Sequence, residues 1–123
     1  MTDYDKYSID LNVKFKPLEI IDISKLITNC SKKWQNLSLC TVNDSVIRLA
    51  VIEGEFHWHK HEKEDEFFFV IEGILLIDLE EKVIKLKSNQ GFIVPKGIMH
   101  RPRAPSRTSV LLVEKSSVKP TGD

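Results

Sequence analysis

The four histidines of this chain fall in two short segments, and their spacing suits metal binding. Three of them, His57, His59 and His61, lie in FHWHKH (56–61), and the fourth is His100. In an extended strand the chain rises about 3.3 Å per residue and alternate side chains share a face. His59 and His61 can therefore point the same way and bind one ion together.

A carboxylate and the distant histidine are expected to reach the same pocket. Glu66 opens the apolar segment EFFFVI directly after a charged turn. A strand–turn–strand hairpin would bring it beside the histidine pair, where it adds an oxygen donor and one negative charge. Pro95 ends a strand and Gly97 permits a sharp turn, so that His100 can return to the pocket three residues later.

Short segments rich in β-branched and aromatic residues must position these side chains. Turn signals such as Asn43-Asp44, Gly54 and Gly73 separate them, which predicts an all-β sandwich or barrel. The predicted strands are 37–42, 45–52, 66–71, 74–79, 82–87, 91–95 and 109–114. Residues 101–107 contain two prolines, which cannot donate to a strand ladder, and are expected to form a loop.

The chain of 123 residues is the size of one domain, and we expect three parts in it. Residues 1–35 form an N-terminal arm that packs on the barrel, with a short helix over 22–29 capped by Asp22 or Ser24. Residues 36–115 form the barrel. Residues 116–123 are polar and are expected to form a flexible tail.

Two segments together resemble a known family. GEFHWHKHEKEDEFFFVIEG (54–73) resembles the first cupin motif, and GFIVPKGIMH (91–100) resembles the second. The motif positions are filled by Gly54, His59, His61, Glu66, Gly73, Gly91, Pro95, Gly97 and His100. Gly54 stands one residue nearer the histidines than usual, and Ala104 replaces an asparagine that often follows the second motif.

The resemblance implies a cupin jelly-roll of two packed antiparallel sheets with one divalent metal ion inside. The implied ligands are His59, His61, Glu66 and His100, and iron, manganese, nickel, cobalt and zinc all accept such a set. We expect a metal-dependent enzyme acting on a small polar metabolite such as a sugar acid or keto acid, by isomerase or dioxygenase chemistry at an open metal position. The alternative is a non-catalytic module that binds or senses a small molecule.

Four further residues are candidates for the surroundings of the metal or the mouth of the barrel: His57, Arg48, Arg101 and Arg103. His57 is predicted to support the site rather than to bind the ion. Arg48 can either hold an anionic substrate or point outward into solvent.

The composition limits the partners. Lysine plus arginine and aspartate plus glutamate both number 18, so the formal net charge is zero. We therefore expect no nucleic-acid partner and no membrane partner. The polar N-terminus and two cysteines without a zinc-type spacing predict a cytoplasmic protein with reduced thiols.

One apolar row predicts association with a second chain. If Glu66 points into the barrel, Phe67, Phe69 and Ile71 point to the other face of the sheet. The arm can cover this row through Ile9, Leu11, Val13 and Phe15, or a second chain can. We expect a homodimer with the row in or beside its interface.

Overall fold

The computed structural model describes residues 6–123 and consists mostly of β-strands. The elements are β1 (Ser8–Asp10), α1 (Ile23–Asn29), β2 (Trp34–Val42), β3 (Ser45–Glu55), β4 (Glu66–Glu72), β5 (Ile74–Leu79), β6 (Val83–Lys87), β7 (Gly91–Val94) and β8 (His100–Lys115). The predicted all-β jelly-roll class and the short helix are confirmed. Within the described residues, no helix is both long enough and apolar enough to cross a membrane.

The last strand, β8, holds the fold together. The hydrogen-bonded order is β1-β2-β3-β8-β4-β7, and β5 joins through β8 with β6 at its far edge. β3 runs antiparallel along one edge of β8. On the other edge, β4 pairs with residues 109–114 and β5 with residues 100–103. His100 at the start of β8 and Glu66 at the start of β4 therefore belong to strands that are paired with each other.

The loop predicted over residues 101–107 is wrong, because β8 runs through it. Pro102 has no N–H to donate, but its carbonyl still takes part in the pairing and accepts the Phe56 N–H at 3.0 Å. Pro105 lies where the register between β3 and β8 shifts, between the pairs Gly54↔Ala104 and Ile52↔Thr108. The missing N–H groups of both prolines therefore leave the ladder intact.

Two hydrophobic clusters lie on the two faces of the main sheet. The inner one fills the jelly roll and includes Phe68, Val70, Leu75 and Ile77. The outer one joins the sheet to the arm and α1: Leu39, Leu49 and Val51 contact Phe15, Leu26 and Ile27. Asp22 caps α1, because its side chain accepts the Lys25 N–H at 3.1 Å.

The arm contacts the barrel partly as expected. β1 pairs in parallel with β2, and Phe15 and Ile71 belong to the outer cluster. Leu11 and Val13, by contrast, are 60% and 47% exposed. Residues 1–5 of the predicted arm lie outside the described residues.

Residues 116–123, which were predicted to form a flexible tail, fold back onto the barrel. The Ser116 N–H donates to the Asp44 carbonyl at 2.8 Å, and the Asp123 N–H donates to the Lys60 carbonyl at 3.1 Å. Val118 is buried. Polar composition did not show that this segment has backbone partners and an apolar anchor.

Candidate metal centre

The four predicted ligands lie together inside the barrel. One ligand atom from each of His59, His61, Glu66 and His100 can be chosen so that all four atoms lie within 4.8 Å of one another. Every one of these side chains is buried. Glu66 is the first residue of β4 and His100 the first of β8, so the starts of two strands face the histidine pair.

Backbone pairing sets His59 beside His100. The His59 N–H donates to the His100 carbonyl at 3.0 Å, and the His100 N–H donates to the His59 carbonyl at 2.9 Å. Their ring centroids are 4.3 Å apart. β3 ends at Glu55, so the pair His59 and His61 lies on an irregular extended segment rather than on a regular strand. Their rings nevertheless lie 5.0 Å apart.

The second motif brings His100 back by a turn. Gly97 has φ of 80°, in the left-handed region that favours glycine, and its N–H donates to the His61 carbonyl at 2.8 Å. This bond ties the loop after Pro95 to the histidine segment. At Gly73, another motif glycine, a Cβ would lie 2.5 Å from Thr108 Oγ1.

Backbone carbonyls orient two of the rings. His59 Nδ1 donates to the His57 carbonyl at 3.0 Å, and His100 Nδ1 donates to the Ile98 carbonyl at 2.9 Å. A proton on Nδ1 leaves Nε2 with its lone pair, which is how metal-binding histidines are commonly held. The carbonyls thus prepare the Nε2 atoms of both rings as ligands.

His61 fits a metal for a different reason. Its ring is buried, yet neither ring nitrogen has a hydrogen-bond partner among residues 6–123. Nε2 lies 3.6 Å from Glu66 Oε1, which is too long for a hydrogen bond. Buried polar atoms are normally satisfied, and an ion between this nitrogen and the carboxylate would satisfy both. The residues present therefore fit a metal ion.

The charges of the group also suit an ion. Burial, reinforced by the neighbouring His100, lowers the pKa of His59 from 6.5 to about 4, so this ring is neutral at pH 7. Burial alone would raise the pKa of Glu66, but the adjacent rings of His100 and His61 outweigh it and hold the pKa below its usual range. A neutral imidazole and a carboxylate are the forms that bind metal.

A buried ion pair behind Glu66 was not predicted. Arg48 Nε lies 2.8 Å from Glu114 Oε1, and both side chains are almost fully buried. Glu114 is the register partner of Glu66 across β4 and β8. Burial and the adjacent Glu66 charge push the pKa of Glu114 upward, and the Arg48 guanidinium opposes them by favouring the carboxylate. The signal was available, because alternation along SVLLVE places Glu114 on the same face as Val110 and Leu112.

This pair decides between the two predictions for Arg48. The solvated alternative is wrong, because Arg48 is only 3% exposed. Its Nη1 also donates to Ser38 Oγ at 3.0 Å. The guanidinium is therefore already held by protein groups.

Arg101 and Arg103 bond to an acidic residue outside the histidine cluster, and the mouth position predicted for them stays a prediction. Alternation along β8 turns both away from His100, and each donates through Nε to Asp78 Oδ2, at 3.0 and 2.8 Å. Arg101 also pairs with Glu55. Hydrogen bonding from Arg103 is the largest effect on the pKa of Asp78, and together with that from Arg101 it outweighs burial and lowers the pKa.

His57 lies beside the cluster but is not one of the four grouped residues. Its carbonyl orients His59, and its ring Nε2 donates to the Thr121 carbonyl at 2.6 Å. The ring also stacks on Phe56, with centroids 4.3 Å apart.

A small cavity adjoins His59 and Glu66. Its volume is about 40 Å³. Its walls are largely apolar, with Trp34, Phe56, Phe68 and Pro120 among them, and Asn36 and Glu114 add polar groups. The side-chain oxygen Oδ1 of Asn36 is buried without a hydrogen-bond partner in the described chain.

Known proteins similar to this chain share its barrel. Residues 45–114 match the family model for the cupin domain. The uncharacterised protein YdbB of Bacillus subtilis (strain 168) is 48% identical over 84 residues, which cover 68% of this chain and 74% of YdbB. The protein named polyketide synthase CurC, from Streptomyces cyaneus, is 38% identical over 97 residues, 73% of this chain and 62% of CurC. A crystal structure of a cupin-2 domain containing protein from Shewanella frigidimarina superposes with a TM-score of 0.75 at 30% identity, covering 78% of this chain and 94% of the other.

Proposed function

Since this chain belongs to the cupin family, we propose that it is a metal-dependent enzyme with one divalent ion held by His59, His61, Glu66 and His100. The observation that carries the proposal is the buried His61 ring, whose nitrogens have no hydrogen-bond partner in the described chain although Glu66 lies 3.6 Å away. A purely structural histidine would be hydrogen-bonded at such depth.

Three imidazole nitrogens and one carboxylate leave one or two positions of the ion open to a substrate oxygen or to dioxygen, which suits isomerase or dioxygenase chemistry. The chain's own groups prepare the site. The His57 and Ile98 carbonyls orient His59 and His100.

The cavity favours a small carbonyl compound, such as a keto acid, over a heavily hydroxylated sugar acid. Arg48 is engaged by Glu114, and the two arginines of early β8 are engaged by Asp78. Aromatic walls suit an apolar body, while Asn36 offers an unpartnered oxygen to a donor on the ligand. The similarity to a protein named polyketide synthase supports an enzyme.

The alternative is a module that binds or senses a small molecule without converting it. The observation that favours it is the size of the cavity, about 40 Å³, which leaves room for about three water molecules. Turnover separates the two functions.

We also propose that the protein is a homodimer. The arm and α1 cover the outer face near β2 and β3, but Ile93 on β7 is 55% exposed, and its neighbours Phe67 and Phe69 are only half-buried. A second copy would bury this row, at about 25 cal/mol per Å² of apolar surface. A location in the cytoplasm stays a prediction.

Light scattering on wild type and on Phe67→Glu/Phe69→Glu tests the dimer. We expect a dimer at tens of micromolar (about 10–100 µM, the range in which an interface of standard size is occupied) and a folded monomer for the variant. A wild type that stays monomeric contradicts the proposal, and a variant that stays dimeric moves the interface elsewhere.

The enzyme proposal is tested by metal analysis of protein purified without an affinity tag, followed by assays after reconstitution with each of iron, manganese, nickel, cobalt and zinc. Small keto acids and sugar acids are assayed for isomerisation and for oxygen uptake. We expect about one ion per chain and turnover that needs it. Binding of a keto acid without turnover would favour the sensing module, and absence of any metal after reconstitution would contradict the metal-dependent enzyme.

A further inference from the structure

A short segment crosses the cavity and the histidines, and we call residues 118–123 the strap. Three hydrogen bonds fasten it to the histidine segment. The Thr121 carbonyl accepts from His57 Nε2 at 2.6 Å, and the Asp123 N–H donates to the Lys60 carbonyl at 3.1 Å. The Glu62 N–H donates to Asp123 Oδ2 at 2.6 Å. The strap therefore follows the HxH segment on its outer side.

The strap also packs tightly on one ligand. A Cβ added at Gly122 would lie 2.6 Å from the Cβ and 3.2 Å from the Cγ of His59. Gly122 has φ of 97°, where other residues are strained. Pro120 lines the cavity together with His59. Only glycine allows this approach, so the close contact between strap and ligand is built into the sequence.

We propose that the strap is a gate: it closes the cavity over His59, and a ligand larger than a few atoms reaches the metal position only after Pro120 moves. The inference deepens the proposed function, because it concerns access to the same cavity. The cavity volume of about 40 Å³ is small beside the roughly 300–1,000 Å³ of ordinary ligand pockets, so a ligand such as a keto acid needs the Pro120 wall to move.

The way the strap is attached suits such a movement. Buried Val118 anchors its first end, while Lys119 and Asp123 are exposed. Between these ends the strap pairs with no strand, and a turn bond from the Gly122 N–H to the Lys119 carbonyl, at 2.8 Å, lets it move as a unit. Segments with few buried contacts and no ladder open locally without unfolding the core, as active-site lids do.

Access to His59 in the metal-free protein tests the gate directly. Wild type, Gly122→Ala, Pro120→Ala and the control Lys119→Ala are treated with diethyl pyrocarbonate, and the modification rate of His59 is followed by peptide mass spectrometry. We expect Gly122→Ala to raise the rate about tenfold, which corresponds to a loss of about 1.4 kcal/mol in strap docking. Pro120→Ala should give a smaller increase, and Lys119→Ala should match wild type.

Equal rates of His59 modification in wild type, Gly122→Ala and Pro120→Ala, with unchanged melting temperatures, would overturn the gate. If Gly122→Ala fails to fold, Pro120→Ala carries the test, because it removes ring atoms without adding a clash. The readout needs no metal, so a protein that binds no ion would defeat the proposed function and still test the strap.

A second measurement uses the zinc-loaded protein. The rate at which a chelator removes zinc should rise about tenfold in Gly122→Ala, while the zinc content before chelation equals that of wild type. Faster removal together with an equal starting content supports a gate. A rate equal to that of wild type would overturn it.

Discussion

The two faces of β8 hold two buried charged groups that are satisfied in opposite ways. On the outer face, Asp78 accepts from both Arg101 and Arg103. On the inner face, His100 approaches Glu66 at 3.2 Å, while the buried His61 nitrogens have no hydrogen-bond partner in the described chain. A cluster in which the charged groups already pair with one another stabilises the fold. A buried cluster whose nitrogen atoms lack partners is instead suited to binding an ion.

The largest expected effect is a difference in metal content between a variant on the inner face of β8 and one on the outer face. His59→Ala/His61→Ala should abolish metal binding, since two nitrogen ligands are lost together. Asp78→Asn on the outer face is the matched control and should bind about one ion per chain. Stoichiometric metal in the double histidine variant would remove the site assignment, and loss of metal in Asp78→Asn would show that the faces are not independent.

The Arg48–Glu114 pair sharpens the comparison, because it is fully buried and yet touches the cluster through Glu66. Glu114→Leu alone should destabilise the protein by about 3–5 kcal/mol, since it leaves the Arg48 charge buried without a counter-ion. Arg48→Met/Glu114→Leu should recover most of that loss, as well-packed apolar replacements of buried pairs often do. Urea unfolding of the metal-free proteins measures both.

A double variant as unstable as Glu114→Leu would contradict this account of the pair. It would mean that Glu114 acts mainly through Glu66 rather than through Arg48.

The grouping of the four residues of the proposed metal site was predictable from sequence because spacing within each motif is local. HxH, the following glutamate and the PxG turn each depend on a few residues, and the strand alternation that aims Glu66 inward is likewise local. The features that the sequence did not predict depend on contacts between residues that are far apart in the chain. Whether Pro102 lies in a strand depends on the Phe56 N–H, and whether Gly122 packs on a ligand depends on where β8 delivers residues 116–123.

The arginines show the same limit. Arg48, Arg101 and Arg103 looked like candidates for an anionic substrate, but each is held by an acidic residue that is remote in sequence. Only the sheet register pairs Asp78 with Arg101 and brings Glu114 opposite Glu66.

The pH dependence of metal affinity is a smaller effect that follows from His61. Burial lowers the pKa of His61, but the negative charge of Glu66, whose Oε1 lies 3.6 Å from Nε2, outweighs burial together with the charges of Asp123 and Glu64 and raises the pKa above 6.5. The ion must displace this proton. As the pH is lowered, metal affinity should therefore start to fall at a pH above 6.5 and should continue to fall below it.

Zinc titrations between pH 5 and pH 8, about the range in which histidine charges change, measure this dependence. His59, with a pKa of about 4, adds no proton over that range. Affinity that stays constant down to pH 5 would contradict the role of His61 as a ligand. In the metal-free protein the sign is reversed: the raised pKa of His61 stabilises the fold at low pH, and that contribution is lost as the pH rises through the folded-state value.

The smallest expected effect on metal content concerns His57, which lies beside the inner cluster without being one of its four grouped residues. Its ring nitrogen Nε2 donates to the Thr121 carbonyl, its own carbonyl accepts from His59 Nδ1, and its ring centroid lies 5.3 Å from that of His59. Because a backbone carbonyl survives substitution, His57→Val should keep about one ion per chain, whereas His100→Ala should lose most of it. Metal analysis of both variants decides the point. A loss of metal content in His57→Val as large as that in His100→Ala would show that His57 is a ligand and belongs to the inner cluster.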